Sequence, residues 1–127
     1  MALEKKTILI VDDEPDFQTY LSTFMEDQVF STVVADDGVQ ARAIVKENRP
    51  DLITLDITKS EKSGVKFYRE MKENEEFSRI PIIIVTGIAK EFQKFISTRK
   101  QVPPPEGYFT KPPELDELLD AVNKLTS

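Results

Sequence analysis

This 127-residue chain contains neither cysteine nor histidine. Without cysteine there is no disulfide and no thiolate nucleophile. Without histidine, Ser-His-Asp catalysis and imidazole metal sites are excluded. Any metal site must then use oxygen ligands, which favours Mg²⁺ or Ca²⁺. Long hydrophobic runs are missing too. The longest, residues 80–85, is far too short to span a bilayer. The opening Met1-Ala2-Leu3-Glu4-Lys5-Lys6 lacks the apolar core of a signal peptide. These features read as a soluble cytoplasmic protein with no membrane insertion. Lysine and arginine are dispersed, and the net charge of −6 argues against direct nucleic-acid binding. The length suits one domain, so residues 1–127 are read as a single unit without a separate output domain.

Short β-branched runs alternate with helical patterns. The runs are Thr7-Ile8-Leu9-Ile10-Val11, Thr32-Val33-Val34-Ala35, Leu52-Ile53-Thr54-Leu55, Ile82-Ile83-Ile84-Val85-Thr86 and the weaker Tyr108-Phe109-Thr110. Continuous rather than alternating apolar strands suggest a parallel sheet covered on both faces. Between them, Phe17, Tyr20, Leu21 and Phe24 fall on one face of a first helix, with Pro15 suited to its first turn. A second helix is apolar at Ala41, Ile44 and Val45, and a third at Phe67, Tyr68 and Met71. A fourth carries Phe92, Phe95 and Ile96, and a fifth Leu115, Leu118, Leu119, Val122 and Leu125. Five βα units predict an α/β, flavodoxin-like (βα)5 three-layer sandwich with right-handed crossovers and strand order 2-1-3-4-5. Before the last strand, Pro103-Pro104-Pro105 predicts an extended, stiff connection, with a Pro-rich docking site as the alternative reading.

Ligands of open α/β sheets bind at the carboxyl ends of the strands. There the sequence places Asp12-Asp13-Glu14, Asp36-Asp37, Asp56, Thr86-Gly87 and Lys111-Pro112. In the expected order strands 1, 3, 4 and 5 are neighbours, so Asp12, Asp13, Asp56, Thr86 and Lys111 share one crevice. Each has an ordinary reading on its own. The Asp12-Asp13-Glu14-Pro15 run suits a helix N-terminus, Asp56 a loop acid, Thr86 a strand end and Lys111 a solvated surface charge. Asp36-Asp37-Gly38 reads as a turn with a helix cap. Together, an acid pair, a single acid, a hydroxyl and a lysine in this order point to chemistry. Packed carboxylates repel unless a cation is present, and Mg²⁺ accepts carboxylates and bridges to phosphate oxygens. Lys111 and Thr86 add charge neutralisation and a donor, the needs of phosphoryl transfer. A carboxylate can itself be the nucleophile, giving an aspartyl phosphate.

Four segments resemble the motifs of response-regulator receiver domains, the CheY-like switches of two-component signalling. They are Ile8-Leu9-Ile10-Val11-Asp12-Asp13-Glu14-Pro15, Pro50-Asp51-Leu52-Ile53-Thr54-Leu55-Asp56, Pro81-Ile82-Ile83-Ile84-Val85-Thr86-Gly87 and Gly107-Tyr108-Phe109-Thr110-Lys111-Pro112. The resemblance covers almost the whole chain. It implies a phosphoprotein, with Asp56 phosphorylated by a sensor histidine kinase, a phosphotransfer protein or a small phosphodonor. It implies Mg²⁺ bound by Asp13, Asp56 and the Thr58 carbonyl, with Asp12 acting mainly through a metal-bound water. Thr86 and Lys111 would hold phosphoryl oxygens. Thr86 and Tyr108 would be switch residues that reshape the face of helix 4, strand 5 and helix 5 for a downstream protein target. The Lys111-Pro112 bond would be cis.

The sequence also departs from the family pattern. The loop after Asp56 reads Lys59-Ser60-Glu61-Lys62-Ser63-Gly64, where only the glycine matches. Gly87 stands where alanine is usual, and Thr58 and Ile88 are neither acids nor amides beside the path of a hydrolytic water. Three functions compete. The first is a phosphorylation switch or phosphorelay member, not an enzyme beyond self-phosphorylation and autodephosphorylation. The second is a pseudo-receiver that binds partners without phosphorylation. The third is a Mg²⁺-dependent phosphohydrolase, for which Thr58 is a poor general acid.

Overall fold

A computed structural model describes residues 5–57, 63–87 and 104–127. The described elements are β1 (Thr7–Val11), α1 (Pro15–Asp27), β2 (Ser31–Ala35), α2 (Gly38–Glu47), β3 (Leu52–Leu55), α3 (Ser63–Glu73), β4 (Ile82–Thr86), β5 (Gly107–Thr110) and α4 (Leu115–Thr126). The helix expected around Phe92, Phe95 and Ile96 lies outside the described residues, so α4 is the fifth helical segment of the sequence. The five strands form one parallel sheet in the order β2-β1-β3-β4-β5, the flavodoxin-like order expected. None of the described helices is long and apolar enough to cross a membrane.

The apolar runs divide their side chains between the two faces of the sheet, because successive strand residues point to opposite sides. On β1, Leu9 and Val11 join α2 and α3 residues such as Val45, Phe67, Tyr68 and Met71 in one core. Ile8 and Ile10 join Leu21 and Met25 of α1 and Leu118 and Val122 of α4 in the other. Burying such a side chain stabilises the fold by about 1.5–3 kcal/mol, and β1, β3 and β4 contribute to both cores. β2 departs from the expectation of cover on both faces. It is an edge strand, and Val33 and Val34 are 37% and 41% exposed. The expected apolar face of α1 is also narrower than its spacing suggests. Leu21 and Met25 are buried, while Tyr20 turns outward.

The helix starts follow local chemistry. Pro15 occupies the first turn of α1, where its missing N–H costs nothing. Asp37 caps α2, its Oδ1 accepting from the Gln40 N–H at 2.9 Å, as expected of the Asp36-Asp37-Gly38 turn. α1 ends with the Phe30 N–H donating to the Met25 carbonyl and the Val29 N–H to the Glu26 carbonyl, both at 3.1 Å. This is a Schellman arrangement, and it puts Val29 at φ 72°. Pro104 and Pro105 carry no regular secondary structure, and Pro103 lies outside the described residues.

Strand register fixes what meets at the carboxyl edge. Val11 pairs with Leu55 across β1 and β3, Leu55 with Ile84 across β3 and β4, and Thr86 with Thr110 across β4 and β5. Each ladder runs on for one bond past the strand. The Asp56 N–H donates to the Val11 carbonyl at 3.0 Å, the Asp12 N–H to the Ala35 carbonyl at 3.0 Å, and the Lys111 N–H to the Thr86 carbonyl at 2.9 Å. The backbone of each of these three residues is therefore held by the neighbouring strand.

Candidate functional site: a carboxylate cluster with one lysine

The side chains of Asp12, Asp13 and Asp56 each bring an oxygen within 4.8 Å of the others. Asp12 and Asp56 are buried, and Asp13 is exposed. Lys111 reaches in from the end of β5. Its Nζ is 2.7 Å from Asp12 Oδ2, 2.9 Å from Asp56 Oδ2 and 2.6 Å from Glu14 Oε1. The peptide bond after it, Lys111-Pro112, is cis, as the family resemblance implied. Thr86 completes the set at the end of β4. Its hydroxyl is fully buried and, among the described residues, has no hydrogen-bond partner. A buried hydroxyl without a partner costs about 1–3 kcal/mol, so this one is poised for a group the structure does not contain.

Electrostatics sets the two key charges against each other. Burial pushes the Asp12 carboxyl above its ordinary range. Bonds from Lys111 and from the Glu14 N–H pull it back, but not fully. Burial alone would lower Lys111, yet its bonds to Asp12, Glu14 and Asp56 outweigh this and raise it, so it stays protonated. The cluster thus gathers three carboxylates around the Lys111 ammonium. All its donors are hard oxygens at the mouth of a cavity of about 440 Å³, lined by Asp12, Asp13, Asp36, Asp37, Asp56 and Gly64 among others. That donor set fits Mg²⁺, which takes one or two carboxylates and keeps several waters.

The sequence expectation for Asp12, Asp13, Asp56 and Lys111 coincides with this geometry. Thr86 stands beside them at the same sheet edge. Thr58 lies outside the described residues, as does the loop through Lys62. Tyr108 lies on β5 and packs against the core shared with α2 and α3. Three neighbours were not read from the sequence. Glu14 bonds Lys111, and the ring centroid of Phe17 is 4.5 Å from the Lys111 Nζ. Gln18 Nε2 donates to the Asp12 carbonyl and, at 2.9 Å, to Asp36 Oδ1, tying α1 to the acid loop. Only the place of Glu14 beside the acid pair hinted at its part.

The model of the response regulator receiver domain matches residues 8–123. The chain belongs to this family. Protein PilH of Pseudomonas aeruginosa is 31% identical over 116 residues, covering 91% of this chain and 93% of PilH. Sporulation initiation phosphotransferase F of Bacillus subtilis is 33% identical, with 92% and 90% covered. Other relatives are longer, and this chain spans 48% of the phosphate regulon regulator PhoB of P. aeruginosa. Chemotaxis response regulator CheY4 of Vibrio cholerae shares the fold at TM-score 0.80 and 23% identity, with 96% of this chain and 99% of that one covered. Receiver domains are the signalling switches of two-component systems and phosphorelays. The acid cluster fits phosphorylation and Mg²⁺ binding, as this family requires.

Proposed function

We propose that residues 1–127 form one receiver unit in which phosphorylation of Asp56 controls binding to a downstream protein. The observation that carries this reading is the cluster itself: three carboxylates within 4.8 Å, with the Lys111 ammonium 2.9 Å from Asp56. Asp13, Asp56 and the Thr58 carbonyl would hold Mg²⁺, with Asp12 acting mainly through a metal-bound water. When bound, Mg²⁺ would neutralise charge on the cluster and the incoming phosphoryl oxygens. An Asp56 oxygen forms the new O–P bond as the P–N bond to a phosphohistidine, or the P–O bond of a small phosphodonor, breaks. The leaving group departs with the electron pair. Lys111 would bind one phosphoryl oxygen, and the Thr86 hydroxyl would donate to another.

The donor would be a sensor histidine kinase or a phosphotransfer protein. Onward transfer is a second fate of the phosphoryl group, as the name of the B. subtilis relative indicates for that protein. The state of the site would be read on β5, α4 and the segment between β4 and β5, with Thr86 and Tyr108 as the moving parts. Self-phosphorylation and autodephosphorylation would be the only catalysis, and the cytoplasm the site of action.

The test is direct. With Mg²⁺ and acetyl phosphate, intact mass should rise by one phosphoryl group in the native chain and not in Asp56→Asn. Mg²⁺ with beryllofluoride should shift the NMR signals of β5. A chain that neither binds Mg²⁺ nor becomes modified would instead be a phosphorylation-independent interaction module. Turnover of small phosphate esters would make it a phosphohydrolase.

A further inference from the structure

The Lys111 ammonium donates hydrogen bonds to Glu14 and Asp56 and forms an ion pair with Asp12 at 2.7 Å. These partners are not equivalent. Asp12 and Asp56 are buried and belong to the cluster that fits a metal ion. The Glu14 side chain is 52% exposed and lies outside that cluster. Glu14 stands at the N-cap of α1 but makes no capping bond with its side chain. Its carboxylate reaches the lysine at 2.6 Å. Glu14, Lys111 and Phe17 also line a second depression, separate from the cavity that holds Asp13.

Two cations cannot draw on the same carboxylates at full strength. With Mg²⁺ on Asp56, and on Asp12 through a water, the Lys111 ammonium must share both carboxylates with it. A partly buried ammonium that loses its partners pays a desolvation cost. Resting on the function proposed above, we infer that Glu14 is a positioning residue. It keeps Lys111 anchored at the mouth of the site while Mg²⁺ and the phosphoryl group draw on the carboxylates of Asp12 and Asp56. Glu14 thereby lowers the cost of exchanging one cation for the other and leaves the ammonium within reach of a phosphoryl oxygen. The ring of Phe17, 4.5 Å from the Nζ, lies along the same outward side.

A simpler effect has the same sign, since any carboxylate near the site attracts Mg²⁺. The two separate through Lys111. If Glu14 acts by holding the lysine, its effect vanishes when the lysine is gone. If it acts by its field alone, the effect persists or grows, because no ammonium then offsets it. Mg²⁺ affinity is measured by calorimetric titration of the native chain, Glu14→Gln, Lys111→Met and the double variant. Glu14→Gln should weaken Mg²⁺ about threefold in the native background, the scale of an exposed ion pair. In the Lys111→Met background the change should fall below about 1.5-fold. An equal or larger change there overturns the inference while leaving the receiver reading intact, and failure of the native chain to bind Mg²⁺ overturns both. Lys111→Gln replaces Lys111→Met if circular dichroism shows that the latter is not folded.

Discussion

Lys111 Nζ lies 2.7 Å from Asp12 Oδ2, and still the Asp12 carboxyl titrates above its ordinary range, because burial outweighs the ion pair. An acid whose pKa is raised by folding favours the folded state at low pH. That contribution is lost as pH climbs through the raised value. Asp12→Asn keeps an oxygen for the Glu14 N–H, which Asp12 Oδ1 accepts at 2.9 Å. Without Mg²⁺ the variant should therefore be more stable than the native chain at pH 7. The gain should shrink as pH falls and vanish below the ordinary value of 3.8. Urea unfolding across this range checks the sign, and a gain that grows toward acid pH would refute it. Mg²⁺ should stabilise the native chain more than the variant.

Gly64, in the first turn of α3, lies against the end of β3. A Cβ on it would lie 2.8 Å from the Asp56 carbonyl oxygen, a backbone atom that cannot swing aside. Gly64→Ala should move α3 or the Asp56 main chain, at a cost of about 1–3 kcal/mol. The same shift should slow modification by acetyl phosphate. Native stability together with native labelling would show that the helix start gives way freely.

The sheet and most of the site could be read from the sequence because both rest on short-range signals. Strand-length apolar runs and polar residues at their ends fix which side chains share the carboxyl edge, and the 2-1-3-4-5 order brings Asp12 and Asp56 together with Lys111. Contacts between residues far apart in sequence had no such signal. The Glu14–Lys111 pair joins positions 97 residues apart, and nothing in either local sequence requires it. The exposure of Val33 and Val34 was hidden for a related reason. A β-branched run looks alike at the centre and at the edge of a sheet, and only topology separates them.

Val29 shows where local sequence and structure disagree. It occupies the position after the α1 C-cap with φ 72°, where glycine is favoured, and it is 66% exposed. A left-handed conformation costs a β-branched residue roughly 1–2 kcal/mol, and the exposed side chain recovers little by burial. Val29→Gly should raise stability by about 1 kcal/mol, less the entropy glycine adds to the unfolded chain. The Phe30–Met25 hydrogen bond should remain. Thermal unfolding gives the sign, and a lower melting temperature would mean that the Val29 side chain makes a contact worth more than the strain.

At the opposite end of the sheet, Lys72 of α3 is nearly buried, with 3% of its side chain exposed, and its Nζ lies 2.8 Å from both Glu106 oxygens. Glu106 Oε1 also accepts from the Ile82 N–H at 2.8 Å. One carboxylate thus pins α3, the start of β4 and the approach to β5. Glu106→Ala would strand a buried ammonium and a backbone donor, costing about 3 kcal/mol. Lys72→Met with Glu106→Gln removes both charges and keeps an acceptor for Ile82, so the pair should recover most of that loss. Because the clamp sits away from Asp56, phosphorylation by acetyl phosphate should stay near native in the double variant at temperatures where it is folded. If the double variant is no more stable than Glu106→Ala, the loss lies in side-chain packing around Tyr68 rather than in the stranded charge.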